Sequence, residues 1–176
     1  DILLDICCGN GLITDKLSDI VNYIYGVDFS EELIDVARKK NEHANVMYEV
    51  NDITKIDLQK YDSINKLSVY SGLQYISLED LNIFLKKVAD YNKSLLVYFS
   101  NVPDKERLWN YYNTEEKKAF YFQREAEGKP HMGTWFNKSD IAHVAESLGL
   151  FCKFLEIDKS LNTHYYRFDV LLGKSI

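Results

Sequence analysis

The stretch that decides the fold is DILLDICCGNG, residues 1–11. Residues 2–8 form a nearly unbroken apolar run, the pattern of a strand buried on both faces of a parallel sheet. Gly9 and Gly11 follow, and then the period changes, with Ile13, Leu17 and Ile20 at helical spacing. A strand, a glycine turn and a helix in that order mark the carboxyl end of a sheet, where open α/β folds bind ligands. Glycine lets the backbone bend sharply and approach a ligand with no Cβ in the way. The helix start behind it offers unpaired N–H groups to an anionic moiety.

Working outward, residues 23–29 (YIYGVDF) and 46–52 (VMYEVND) read as a second and a third strand. Ser30 caps a helix between them, with Glu31 and Glu32 in its first turn and Leu33, Ile34 and Ala37 facing inward. A fourth strand falls within residues 64–70. Ser77 and Asp80 form a capping box ahead of Leu81, Phe84, Leu85 and Val88. Residues 94–101 (SLLVYFSN) supply a fifth strand. The alternation then breaks into a polar and aromatic stretch that contains both prolines, Pro103 and Pro130, as an insert on a regular scaffold does. A helix opens at Asn137 and Asp140, turns Ile141, Val144, Ala145 and Leu148 inward and stops at Gly149. Two last strands, FCKFLEID and YYRFDVLLG, make an antiparallel pair.

Composition narrows the function. The 176 residues suit one folded domain, and no apolar run approaches the roughly 20 residues that span a bilayer. The formal charge of −6 opposes phosphate backbones, so nucleic acid is an unlikely partner. Cys7, Cys8 and Cys152 show neither CxxC nor zinc-ligand spacing, which predicts no metal and fits the cytoplasm. The glycine turn is also selective. A dinucleotide fingerprint needs a third glycine where Thr14 stands, and a P-loop needs a Gly-Lys-Ser/Thr ending that is absent. What remains is acidic-x-x-x-Gly-x-Gly. Asp28 and Asp52 close the second and third strands; with Asp5 they predict a line of acceptors suited to a nucleoside with an amino group at each end.

With these residues in place, the chain resembles the class I S-adenosylmethionine-dependent methyltransferases. DICCGNG is similar to that family's first motif, YGVDFSEELIDVARKK to its second, VNDI to its third, and SVYSGLQYISLEDLNIFLKKV to its fourth strand and helix. The resemblance implies a Rossmann-like, mostly parallel seven-stranded sheet of order 3-2-1-4-5-7-6, strand 7 antiparallel, with helices on both faces. It also implies an N-terminal helix ahead of residue 1. On this reading residues 1–176 are one methyltransferase domain with a substrate-side insert at about 103–136.

The same resemblance implies S-adenosyl-L-methionine as cofactor and S-adenosyl-L-homocysteine as product. The implied cofactor set is Asp5, Cys7, Gly9, Asn10, Gly11, Asp28, Phe29, Asn51, Asp52, Ile53, Ser68 and Tyr70. Asp28 would hold the ribose, Asp52 and the Ile53 N–H the adenine, and Asp5 the amino end. Gly9, Asn10 and Gly11 would run beneath the methionine portion, with Ser68 and Tyr70 near the sulfonium. Cys7 departs from the pattern, since the family usually has glycine there.

Methyl transfer is an in-line displacement that needs a base only for a protonated nucleophile. Tyr75 and His131 are the expected bases, ahead of His164. Gln74, Asn101, Trp109, Tyr112 and Trp135 are expected to line the acceptor pocket, against the alternative that these aromatics pack the insert onto the sheet. The stretch Leu67-Ser68-Val69-Tyr70 lacks the Asn/Asp-Pro-Pro-Tyr tetrad of enzymes that methylate exocyclic base nitrogens, and Pro103 is not followed by cysteine. The expected activity is methylation at O or N of a small molecule or glycosyl acceptor. A nucleotide-binding oxidoreductase domain and a non-catalytic methyltransferase-like subunit are the alternatives.

Overall fold

The computed structural model describes residues 1–174. Five parallel strands start the sheet: β1 (Ile2–Ile6), β2 (Tyr23–Asp28), β3 (Val46–Val50), β4 (Lys66–Tyr70) and β5 (Leu96–Pro103). β6 (Leu150–Glu156) and β7 (Arg167–Lys174) complete it, with β7 antiparallel to both β5 and β6. The order is β3-β2-β1-β4-β5-β7-β6, as expected. Because the order reverses beside β1, the crevice beyond its carboxyl end is where neighbouring crossovers diverge and leave room for a ligand.

The helices are α1 (Leu12–Leu17), α2 (Glu31–Lys40), α3 (Leu78–Asp90), α4 (Leu108–Tyr111), α5 (Glu115–Ala126) and α6 (Lys138–Ser147). On one sheet face Leu4, Ile6, Val69, Phe99 and Val170 pack against Leu81, Phe84 and Leu85 of α3 and Ile141 and Ala145 of α6. On the other, Ile34 and Ala37 of α2 meet Tyr48 of β3. Both sequence-read caps form. The Ser30 hydroxyl accepts from the Leu33 N–H, and Ser77 and Asp80 make a complete capping box.

α1 departs from the expected apolar face. It stops at Leu17, Ile20 projects into solvent, and the buried helical residue is Thr14. A helix of under two turns presents little inward surface, and Thr14 holds the inward place because its hydroxyl has a buried partner in Asp5. Leu33 likewise turns toward the cleft described below rather than into the core. Beyond β5, residues 103–105 and Phe136 are stitched together: the Phe136 N–H donates to the Pro103 carbonyl (2.9 Å) and the Lys105 N–H to that of Phe136 (2.9 Å). α4 and α5 lie between these joined ends.

Candidate active site

A cleft of about 820 Å³ opens beyond the carboxyl ends of β1, β2, β3 and β4. Its floor is Ile6, Cys7 and Gly9. One wall carries Asp28, Phe29 and Leu33, and the next Asn51, Asp52, Ile53 and Thr54. The far side is Tyr70, Ser71, Gly72, Tyr75, Ile76 and Asp80.

The two glycines of the first turn do different work. Gly9 has φ +56°, and a Cβ there would meet nothing within 4 Å, so its bare face is turned to the open cleft. Gly11 has φ +75°, and a Cβ there would come within 2.5 Å of the Tyr48 hydroxyl and strike the Asn41 amide. Gly11 is therefore a packing glycine that seats the loop on α2 and β3 and, contrary to expectation, it does not line the cleft. Asn10 is exposed and also lies off the cleft.

Asp28 ends β2 and is almost entirely buried. Its Oδ2 accepts from the Gly9 N–H (2.8 Å) and its Oδ1 from the Ser30 N–H (3.0 Å). Each carboxylate oxygen keeps a further lone pair, and those remain for a ligand. Asp52 is anchored in the same manner, its Oδ1 accepting from the Thr54 N–H and hydroxyl (both 2.8 Å). Both acids face one cleft from adjacent strands. The site residues accommodate an adenosyl group: two aimed carboxylates, a backbone stretch without Cβ, and the apolar Phe29, Leu33 and Ile53 around them.

Asp5 is the exception to the expected line of acids. It sits within β1 rather than at its tip, is 1% exposed, and accepts from the Thr14 hydroxyl at Oδ2 and the Ser68 hydroxyl at Oδ1 (both 2.7 Å). Burial pushes its carboxyl above the usual range, and the two hydroxyls partly offset that. Asp5 and Ser68 thus tie β1, α1 and β4 together beneath the cleft and do not line it.

Cys7 takes φ +59°, a left-handed conformation that favours glycine. Its side chain fills space left by a missing one: a Cβ on Gly72 would lie 2.7 Å from the Cys7 Cβ and Sγ. Burial, followed by the nearby carboxylates, pushes the Cys7 thiol up to about 12. Cys8 rises for the same reasons.

The expected bases and acceptor residues separate. Tyr75 lines the cleft and is 74% exposed. His131 does not reach the cleft; its ring packs on Phe120 (5.1 Å between centres), and its Nδ1 lies 3.4 Å from the Tyr112 hydroxyl. His164 faces its own loop, Nδ1 meeting the Leu161 carbonyl at 2.7 Å. Trp109 meets Tyr121 edge-on and Phe122 at a tilt, Tyr112 is 1% exposed against Tyr111 and Tyr121, and Trp135 packs on Tyr111 and Tyr166. These rings hold the insert together, and none lines the cleft.

Gln74 does not line the cleft: its backbone carbonyl accepts from the Thr134 N–H (2.8 Å), and its side-chain Oε1 is buried without a donor among the described residues. Asn101 stands at a bulge of β5 with φ +64°, and its Nδ2 donates to the Ser71 hydroxyl (2.5 Å). Ile6, Leu33, Thr54, Ser71, Gly72, Ile76 and Asp80 line the cleft without having been expected there. Gly72, two residues past the end of β4, carried a signal for this; the others carried none.

Among the described residues no group of His, Cys, Asp and Glu is arranged to hold a metal ion, and no helix is long and apolar enough to cross a membrane. A sequence profile described as "Methyltransferase domain" matches residues 3–94, more than half of the chain. A malonyl-[acyl-carrier protein] O-methyltransferase of Bacillus anthracis is 31% identical over 85 residues, 47% of this chain and 32% of that protein. A ubiquinone biosynthesis O-methyltransferase of Coxiella burnetii is 28% identical over 153 residues, 84% of this chain and 62% of that protein. The chain therefore spans about one third to three fifths of the length of these relatives.

Among solved structures, magnesium protoporphyrin IX methyltransferase from Synechocystis PCC 6803 with bound SAH superposes with a TM-score of 0.71 at 14% identity, covering 98% of this chain and 74% of that one. An S-adenosylmethionine-dependent methyltransferase from Clostridium acetobutylicum ATCC 824 gives 0.72 at 14% identity, covering 100% and 85%. Sheet order, glycine turn, acidic strand tips and profile agree: the chain belongs to the class I S-adenosylmethionine-dependent methyltransferase family.

Proposed function

We propose that the chain binds S-adenosyl-L-methionine in this cleft and moves its methyl group to an O or N atom of a small-molecule or glycosyl acceptor. The observation that carries the reading is the convergence of Asp28, Asp52 and the bare face of Gly9 on one cleft. When bound, the cofactor supplies an electrophilic methyl group on a sulfonium. Asp28 takes the ribose hydroxyls, Asp52 and the Ile53 N–H take the adenine, and Phe29 and Leu33 shield it from water.

Catalysis then rests mainly on holding donor and acceptor in line. Tyr75, more exposed than the other hydroxyl side chains of the cleft's far side, Tyr70 and Ser71, is assigned to the acceptor proton. The names of the relatives favour oxygen over nitrogen as the methylated atom. The acidic balance disfavours nucleic acid, and three free cysteines suit a reducing cytoplasm.

Thermal unfolding tests cofactor binding directly. At a hundred times its Kd, S-adenosylhomocysteine adds about 2.7 kcal/mol to the native state, NAD adds nothing, and Asp28→Ala removes most of the gain. A shift with NAD alone returns the chain to the oxidoreductase reading. A shift with S-adenosylhomocysteine but no methyl transfer to any acceptor leaves a binding subunit.

A further inference from the structure

Arg167 opens β7 and is 5% exposed, yet no carboxylate among the described residues pairs with its charge. Its Nη1 donates to the Asn101 carbonyl (2.5 Å), and its guanidinium lies 5.3 Å from the centre of the Tyr166 ring. Nε is buried with no hydrogen bond, and no carboxylate stands within 4.0 Å among the described residues. Nη2 makes no bond among the described residues either but, unlike Nε, is not sealed from solvent.

Neighbouring cations are treated differently: Arg107 and Lys138 each meet both Asp104 and Glu156. Asp169, two residues along the same strand face, is already engaged. It accepts from the Tyr98 hydroxyl, the Ser100 hydroxyl (3.1 Å) and the Asn101 N–H (2.7 Å). A guanidinium withdrawn from water is costly unless an opposite charge arrives to face it. The bare Nε and Nη2 form one edge of the planar fork, the spacing that matches two oxygens of a carboxylate or phosphate.

A second orphan lies beside the first. Asn101 Oδ1 is buried with no donor, while its Nδ2 holds the Ser71 hydroxyl that lines the cleft. Two hydrogen bonds therefore link the guanidinium through Asn101 to Ser71 of the cleft wall. Tyr166, the ring beneath the Arg167 guanidinium, packs in turn on Tyr111 and Trp135, with ring centres 4.8 and 6.2 Å away.

We propose that Arg167 is the binding site for an anionic group, carboxylate or phosphate, on the methyl acceptor, with Asn101 Oδ1 taking a hydroxyl or N–H of the same molecule. The inference rests on the methyltransferase reading above and narrows its acceptors to acids.

Matched probes test it: benzoate, its uncharged counterpart benzamide, and inorganic phosphate, each titrated by calorimetry into protein saturated with S-adenosylhomocysteine. Benzoate or phosphate is expected to bind at least about tenfold tighter than benzamide, and Arg167→Met is expected to erase the difference while leaving S-adenosylhomocysteine affinity within about twofold. Whether the winner is benzoate or phosphate identifies the anion. Because the variant can fail to fold, wild-type protein labelled at arginine Nε gives a second readout. The Arg167 resonance moves with the bound anion and is still with benzamide.

Equal binding of the charged and uncharged probes, with an unmoved Arg167 resonance, overturns the proposal and makes the two orphan atoms a water site. The same titrations without S-adenosylhomocysteine keep the readings apart. An anion that moves Arg167 in protein that ignores S-adenosylhomocysteine sinks the cofactor assignment and leaves the anion site standing.

Discussion

The two halves of the sheet's working edge are built by different forces. On the β1-β2-β3 side, carboxylates are aimed by short hydrogen bonds from backbone N–H groups: Gly9 and Ser30 onto Asp28, Thr54 onto Asp52. On the β5-β7 side, the rings of Trp109, Tyr111, Tyr112, Tyr121, Trp135 and Tyr166 pack on one another, with Arg107 and Lys138 paired to acids at the margin. Hydrogen bonds have direction and fix where a lone pair points. Ring packing is fixed by volume and tolerates exchange if volume is kept. The first half is suited to one constant ligand and the second to a wall whose shape can vary.

The largest effect expected from this contrast is on stability at the aromatic half. Tyr112→Ala empties a buried site among the rings of Tyr111, Tyr121, His131 and Trp135 and should lower the unfolding free energy by about 4 kcal/mol, measured by urea denaturation. The increment added by S-adenosylhomocysteine should survive, because Tyr112 does not touch the cleft. Loss of that increment would mean the halves are mechanically coupled.

Next in size is a pair of substitutions two residues apart. Gly11→Ala drives a methyl into Tyr48 and Asn41 in a left-handed conformation and should cost about 3 kcal/mol, with ligand affinity preserved in whatever folds. Gly9→Ala meets open space, should cost about 1 kcal/mol from its backbone alone, and should weaken S-adenosylhomocysteine at least about tenfold by occupying the bare face of the cleft. If the two variants trade phenotypes in calorimetry and denaturation, the division of labour within the loop is wrong.

That pair also shows how far the sequence could be read. The strands, caps and acidic tips were legible because each depends on spacing within about a dozen residues, and a residue at the end of a strand has its place in space fixed by the sheet; the strand order came from the resemblance to the methyltransferase family. Gly9 and Gly11 look alike in DICCGNG. What separates them is Asn41 and Tyr48, thirty or more positions away, and no local pattern carries that. Asp5 was misread by one pleat: it stands inside β1, and only Thr14 and Ser68 arriving from α1 and β4 turn it into a buried tie. Trp109, Tyr112, Trp135 and His131 have a composition that serves a substrate wall or a packed insert equally well, and contacts between α4, α5 and the strand ends decided for packing.

The smallest effect concerns chemistry where the two halves meet, at the Cys7–Gly72 contact. A thiol on the floor of a cofactor cleft invites a reading as a reactive group, but burial and the carboxylates nearby disfavour its thiolate. With its folded value raised to about 12, the thiol loses its proton only far above physiological pH, so about one molecule in ten thousand carries the thiolate at pH 8. Iodoacetamide at that pH should therefore alkylate Cys7 in the native protein orders of magnitude more slowly than a free cysteine, with mass spectrometry of tryptic peptides as the measure. S-adenosylhomocysteine should slow it further by covering the floor. Rapid native labelling of Cys7 would show instead that the contact with Gly72 opens readily, and that the cofactor half is less rigid than its hydrogen bonds imply.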